Sequence, residues 1–91
     1  MERTPRIRSV APIEDGRLLV CFENGVEMIY DCKPLMTKPE FSLLKNPAFF
    51  RSVRAGPSGY GISWNDNIDL REYELWTTGQ PVVEKSLKET A

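Results

Sequence analysis

The side chains able to do chemistry are few. The carboxylates Asp31, Asp66, Asp69, Glu72 and Glu74 form the plausible acid–base set. Acid–base catalysis by carboxylates needs two of them held in environments that push their pKa values apart, and no spacing here selects a pair. A structural Asp at a strand end, tying down the following loop, is the better account of Asp31. The chain has no histidine. That removes Ser-His-Asp and Cys-His catalysis, histidine metal ligands and the commonest base near neutral pH. Oxygen donors recur at Asn65, Asn67 and Asp69 as they do at the start of a calcium loop. The sixth and twelfth positions counted from Asn65 are Leu70 and Trp76, where Gly and Glu are required. The glycines between Gly56 and Gly61 lack the Gly-Lys-Ser/Thr ending of a phosphate loop, and no helix follows them. A hairpin turn explains them better. The chain is therefore read as no enzyme, with no metal and no cofactor.

Two cysteines remain, Cys21 and Cys32. A hairpin turning at Asn24-Gly25 pairs Cys21 with Met28 and Cys32 with Arg17. That places the thiols about 13 Å apart along the ladder. A disulfide needs Cα atoms within about 7 Å, so both are read as free thiols behaving as small apolar residues.

Binding is the remaining class. Arg6, Arg8, Arg51 and Arg54, with Tyr60 and Trp64 on nearby strands, could make a nucleic-acid face, since bases stack on aromatics above a basic groove. Against this, 12 basic and 13 acidic residues give a net charge of −1, whereas a nucleic-acid module is usually basic. Trp64 and Trp76, large amphipathic residues at element ends, are core-edge residues or interface anchors.

The elements that must position these groups are legible in the hydrophobic pattern. Ile7 to Ala11 alternates as a first strand, stopped by Pro12. Glu14-Asp15-Gly16 is a turn, and Leu18 to Phe22 is a second strand, apolar at every position. Asn24-Gly25 suits a type I′ turn with positive φ at both residues, and Val26 to Tyr30 returns as a third strand. In that register Leu18, Val20 and Phe22 share a face with Glu27, Ile29 and Asp31. Leu19, Cys21 and Glu23 share the other with Val26, Met28 and Tyr30. Both faces are substantially apolar, so either helices cover the second face or a partner does.

Thr37-Lys38-Pro39-Glu40 has capping-box spacing for a short helix from Lys38 to Lys45, stopped by Asn46-Pro47. Ala48-Phe49-Phe50 packs as core or forms a further turn. Arg51 to Ala55 is a fourth strand and Tyr60 to Trp64 a fifth. Asp69 with Glu72 repeats the capping-box spacing for a second helix, which Gly79 ends. Residues 1–79 make one domain, and 80–91 a polar tail that orders only if it docks on a sheet edge. The fold expected is α+β: a small antiparallel sheet of about five strands with two short helices in a single layer on it. The longest apolar run, Leu18 to Phe22, is five residues, far short of the roughly 20 of a membrane span. No signal-peptide pattern follows Met1, and a cytoplasmic location is expected.

The order of these residues resembles the bacterial family of domains of unknown function numbered 2442. Its pattern is a Leu-x-Val-x-Phe-x-x-Gly hairpin, a strand ending in Asp, a short Leu/Phe helical turn and a Gly-x-Gly-Ile-x-Trp…Asp-Leu ending. Here those positions are Leu18, Val20, Phe22, Gly25, Asp31, Leu35, Phe41, Leu44, Phe50, Gly59, Gly61, Ile62, Trp64, Asp69, Leu70 and Leu75. Glu27 departs from it, since an apolar residue is more usual on the Phe22 face, as does the polar tail after Gly79. The resemblance implies a small α+β fold and no catalytic residues. Some relatives carry an added helix-turn-helix domain, and others are encoded beside a small partner in a toxin–antitoxin-like arrangement.

The function expected is a non-enzymatic protein-interaction module, the antidote or adaptor half of such a pair, with a protein partner or a second copy as its companion. The interface expected is Leu19, Cys21, Met28, Tyr30, Trp64 and Trp76. The alternative is a nucleic-acid-binding domain using Arg6, Arg8, Arg51 and Arg54. No membrane contact is expected.

Overall fold

The computed structural model describes residues 4–82. Seven strands and two short helices follow in the order β1 (Ile7–Ile13), β2 (Arg17–Phe22), β3 (Glu27–Asp31), α1 (Pro47–Phe50), β4 (Arg54–Ala55), β5 (Gly61–Asn65), β6 (Ile68–Arg71), α2 (Glu72–Thr78) and β7 (Gln80–Pro81). Two 3-10 segments, Leu35–Thr37 and Pro39–Lys45, lie between β3 and α1. The α+β class with antiparallel pairing is as expected. The strands, however, divide between two sheets, ordered β1-β2-β3-β7 and β4-β5-β6.

The first hairpin turns at Asp15 and Gly16, with φ of 66° and 68°, and β1 continues through Pro12 to Ile13. Proline is tolerated there because β1 is an edge strand. The second hairpin turns where expected but not as expected. Only Gly25 has positive φ, at 91°. The Phe22 N–H donates to the Val26 carbonyl and the Gly25 N–H to the Phe22 carbonyl, both at 2.9 Å. Three residues rather than two therefore lie in the loop, the arrangement in which a left-handed glycine closes an ordinary turn. Val20 pairs with Met28 and Cys21 with Glu27, one residue off the expected register, and a one-residue slip exchanges every side chain of β3 between faces.

The consequence is a cleaner division than the sequence suggested. Leu18, Val20 and Phe22 share the inner face with Met28 and Tyr30, all buried. The core they begin is completed by Ile7, Cys32, Leu44, Phe50, Val53, Ile62, Trp64, Ile68, Leu70 and Leu75. Glu27, out of place in the expected register, is exposed on the outer side.

Two expected helix starts are replaced. The Thr37 hydroxyl donates to the Pro34 carbonyl at 2.8 Å instead of capping a helix, and the segment after Lys38 winds as 3-10 without a side-chain cap. The true cap is Asn46, whose Oδ1 accepts from the Ala48 and Phe49 N–H groups at 2.9 and 3.1 Å. Ile68 to Arg71, expected as a loop and helix start, is strand β6. Asn65 Oδ1 accepts from Asn67 N and Ile68 N at 2.8 Å each and so turns β5 back on itself. Helix α2 does end at Gly79, but with extended φ of −66°. Glycine is needed there because a Cβ would lie 2.6 Å from the Leu75 carbonyl oxygen. The first residues of the expected tail dock: Gln80 pairs with Ile29, and the Val82 N–H donates to Glu27 O at 2.9 Å. Residues 83–91 of that tail lie outside the described residues.

Both cysteines are free. Burial, with the Asp31 charge second, pushes the Cys32 thiol up to about 12 from its ordinary 9.0. The folded state thus keeps a proton that the unfolded chain releases near pH 9. Stability present in full below pH 9 falls as pH rises, by about 1.4 kcal/mol at pH 10. Tyr30, also raised by burial and by its hydrogen bond to Glu74, acts in the same direction above its ordinary range. Urea midpoints measured from pH 7 to 10 are expected to fall beyond pH 9, and less steeply in Cys32→Ala. A flat series would contradict the burial of this thiol.

Candidate functional site

The pairing of β1, β2, β3 and β7 leaves an outer face made of three rows. Ser9, Cys21 and Glu27 lie across one end, and Ala11, Leu19, Ile29 and Gln80 across the middle. Ile13, Arg17 and Asp31 lie across the other end. Leu19, Ile29 and Ile13 are half-buried, yet none belongs to the core or packs against it. Toward β7 the face is dished, where Arg17, Ile29, Asp31, Pro34, Thr78 and Gln80 line a depression of about 550 Å³.

Polar groups frame this apolar middle row. The Cys21 thiol is 3.5 Å from Glu27 Oε2. Asp31 Oδ1 accepts from the Lys33 backbone N–H at 2.9 Å and pairs with Lys33 Nζ at 3.1 Å. The backbone hydrogen bond is the first cause holding its carboxyl below the usual range, so Asp31 is charged at neutral pH. It faces Arg17 directly across the ladder.

The structure separates the six expected interface residues. Leu19 and Cys21 are on the outer face. Met28, Tyr30 and Trp64 are 6%, 3% and 5% exposed and belong to the core. The Tyr30 hydroxyl donates to Glu74 Oε2 at 2.8 Å, and the Trp64 indole N–H donates to the Phe50 carbonyl at 3.0 Å. Trp76 is half-buried, edge-on to Phe22 with ring centroids 5.1 Å apart. The residue missed is Ile29, which holds the outward place assigned to Met28. Its only signal is the turn type, which Asn24-Gly25 does not specify by itself.

The arginines do not form one cluster of contacts. The Arg6 guanidinium lies 4.7 Å over the Tyr60 ring. Arg54 stands in register with Ser63 and Asp69 on the exposed side of the second sheet. Arg8 on β1 and Arg51 after α1 are exposed. A shallow depression of about 310 Å³ is bordered by Gly56, Tyr60, Gly61, Ser63, Asp69 and Arg71, and by none of these four arginines. The five carboxylates are likewise dispersed. Asp31 is tied to Lys33, Asp66 is in the β5–β6 turn, Asp69 is exposed on β6, Glu74 accepts from Tyr30, and Glu72 Oε1 lies 3.9 Å from Arg71 Nε. Among the described residues no group of three or more His, Cys, Asp or Glu is placed to hold a metal ion. No described helix is long and apolar enough to cross a membrane.

Fold and site together define a small α+β domain with antiparallel sheets and an apolar-centred sheet face that no element among the described residues covers. The chain belongs to the DUF2442 family of proteins of unknown function, whose sequence profile matches residues 7–80. No curated protein and no solved structure matches it.

Proposed function

We infer that the chain is a non-enzymatic protein-interaction module, the adaptor or antidote half of a two-protein pair, and that it associates through the open face of its four-stranded sheet. One observation carries this reading: the row Ala11–Leu19–Ile29 is apolar and lies on the side of the sheet away from the core. An apolar centre rimmed by charges is the usual anatomy of a protein interface.

The reading is tested by tagging the protein and following its companion, a second protein or a second copy, through Ile29→Lys. The substitution places a charge in the middle row without touching the core. The companion is expected in stoichiometric amount with the parent chain and at least tenfold depleted with the variant. A chain that runs alone as a monomer, or a companion indifferent to Ile29→Lys, overturns it.

The stack of Arg6 on Tyr60 favours a second reading, nucleic-acid binding through Arg6, Arg8, Arg51 and Arg54. That reading requires affinity for a nucleic acid that drops steeply with salt, and absence of binding at low salt removes it.

A further inference from the structure

We propose that the open face is self-complementary and docks on a second copy of this chain, with the two-fold axis running parallel to the strands between β2 and β3. The inference rests on the reading of that face as the interaction surface and names its occupant.

The axis follows from the rows. A two-fold axis perpendicular to the strands would lay the end carrying Glu27 over the end carrying Asp31, stacking acid on acid. An axis parallel to them keeps each row over itself and exchanges β2 with β3. Leu19 of one copy then meets Ile29 of the other, and Arg17 meets Asp31, twice over by symmetry. The same operation carries β1 over β7. It brings Ile13, the apolar residue at the β1 flank, to the depression that Arg17, Asp31, Pro34 and Thr78 border on the β7 flank. Charge and shape therefore select the same axis independently. Sheets packed this way lie nearly aligned, as in sandwiches.

The size of the face sets the strength. The 20 residues of β1, β2, β3 and the two-residue β7 span about 330 Å² of sheet plane, about 660 Å² over two facing copies. That is below the about 1,200 Å² of a standard interface and falls in the size range of weak, transient association. The dimer is accordingly a weak, reversible one, not an obligate one.

A charge exchange tests the axis. Arg17→Asp puts acids over acids in its own dimer, and Asp31→Arg puts arginines over arginines. A mixed dimer of the two variants has both pairs restored. By sedimentation equilibrium each variant alone is expected to dissociate at least about tenfold more readily than the parent chain, and the equimolar mixture to recover the parent's dissociation constant. Circular dichroism establishes that each variant is folded. Should either lose its fold, Ile13→Lys, at the other flank, is expected to weaken the parent dimer at least about tenfold. A parent dimer unmoved by these substitutions, or a mixture as dissociated as its components, overturns the proposal. A parent chain still monomeric at about 1 mM, where a dimer with a dissociation constant of about 1 mM would be half formed, also overturns it. If that monomer still holds a different protein in an Ile29→Lys-sensitive way, the interaction reading stands without the dimer. If it holds none, both fall.

Discussion

Phe22→Ala is expected to remove about 3–5 kcal/mol of stability, a large part of the roughly 5–14 kcal/mol available to a chain this long. Phe22 has no exposed surface. It sits at the end of β2 where Ile7 pairs with it, and Trp76 of α2 packs edge-on against its ring at 5.1 Å. The truncation leaves a void bordered by both a strand and a helix, and neither can close over it without leaving its own partners. Tryptophan fluorescence is expected to shift as Trp76 loses its neighbour. Ile29→Ala provides the contrast. In the register expected from the sequence Ile29 lies opposite Val20 on the face of Phe22, and its truncation would cost about 2–5 kcal/mol. In the observed register it faces outward, and the cost in the monomer is under about 1 kcal/mol. Urea denaturation of the two variants at low concentration decides between the registers. Similar losses would show that β3 is misplaced.

Gly59→Ala is expected to cost about 2–3 kcal/mol, and Gly25→Ala only about 1–2. Both residues have positive φ, 77° and 91°, so both variants carry the left-handed penalty of a Cβ. Their surroundings differ. A Cβ at Gly25 meets nothing within 4 Å, whereas one at Gly59 would lie 2.9 Å from the Ile7 carbonyl oxygen. That approach is what lets the Gly59 carbonyl accept the Ile7 N–H at 2.8 Å, a bond joining the β4–β5 loop to β1 and so the second sheet to the first. Equal losses in the two variants would mean that this joint relaxes freely.

How much was legible follows from the range over which each signal acts. Asp15-Gly16, Asn24-Gly25 and Gly79 mark chain reversals and stops by backbone sterics, which are local, and each lies where the structure turns or ends an element. The capping-box spacings misled because a hydroxyl or carboxylate has several backbone partners within reach. Thr37 bonds back to Pro34, and Asp69 is carried in a strand that Asn65 had already turned. Of the expected interface, Leu19 and Cys21 are on the outer face, while Met28, Tyr30 and Trp64 are core. The exchange of Met28 for Ile29 traces to one additional loop residue.

By itself the sequence determined the α+β class, the turn positions, the strands of the first two hairpins and the lack of histidine chemistry. Each of these depends on residue type and near-neighbour spacing alone. Only the tertiary structure decided which side of β3 is the inside and which is the open face. A loop of two residues and one of three are nearly equivalent locally. Apolar residues stand on both sides of the strand, so the alternation there has no preferred sign. The choice is made across the core, where Phe22 meets Trp76, Tyr30 meets Glu74, and Met28 lies against the backbone of Gly79.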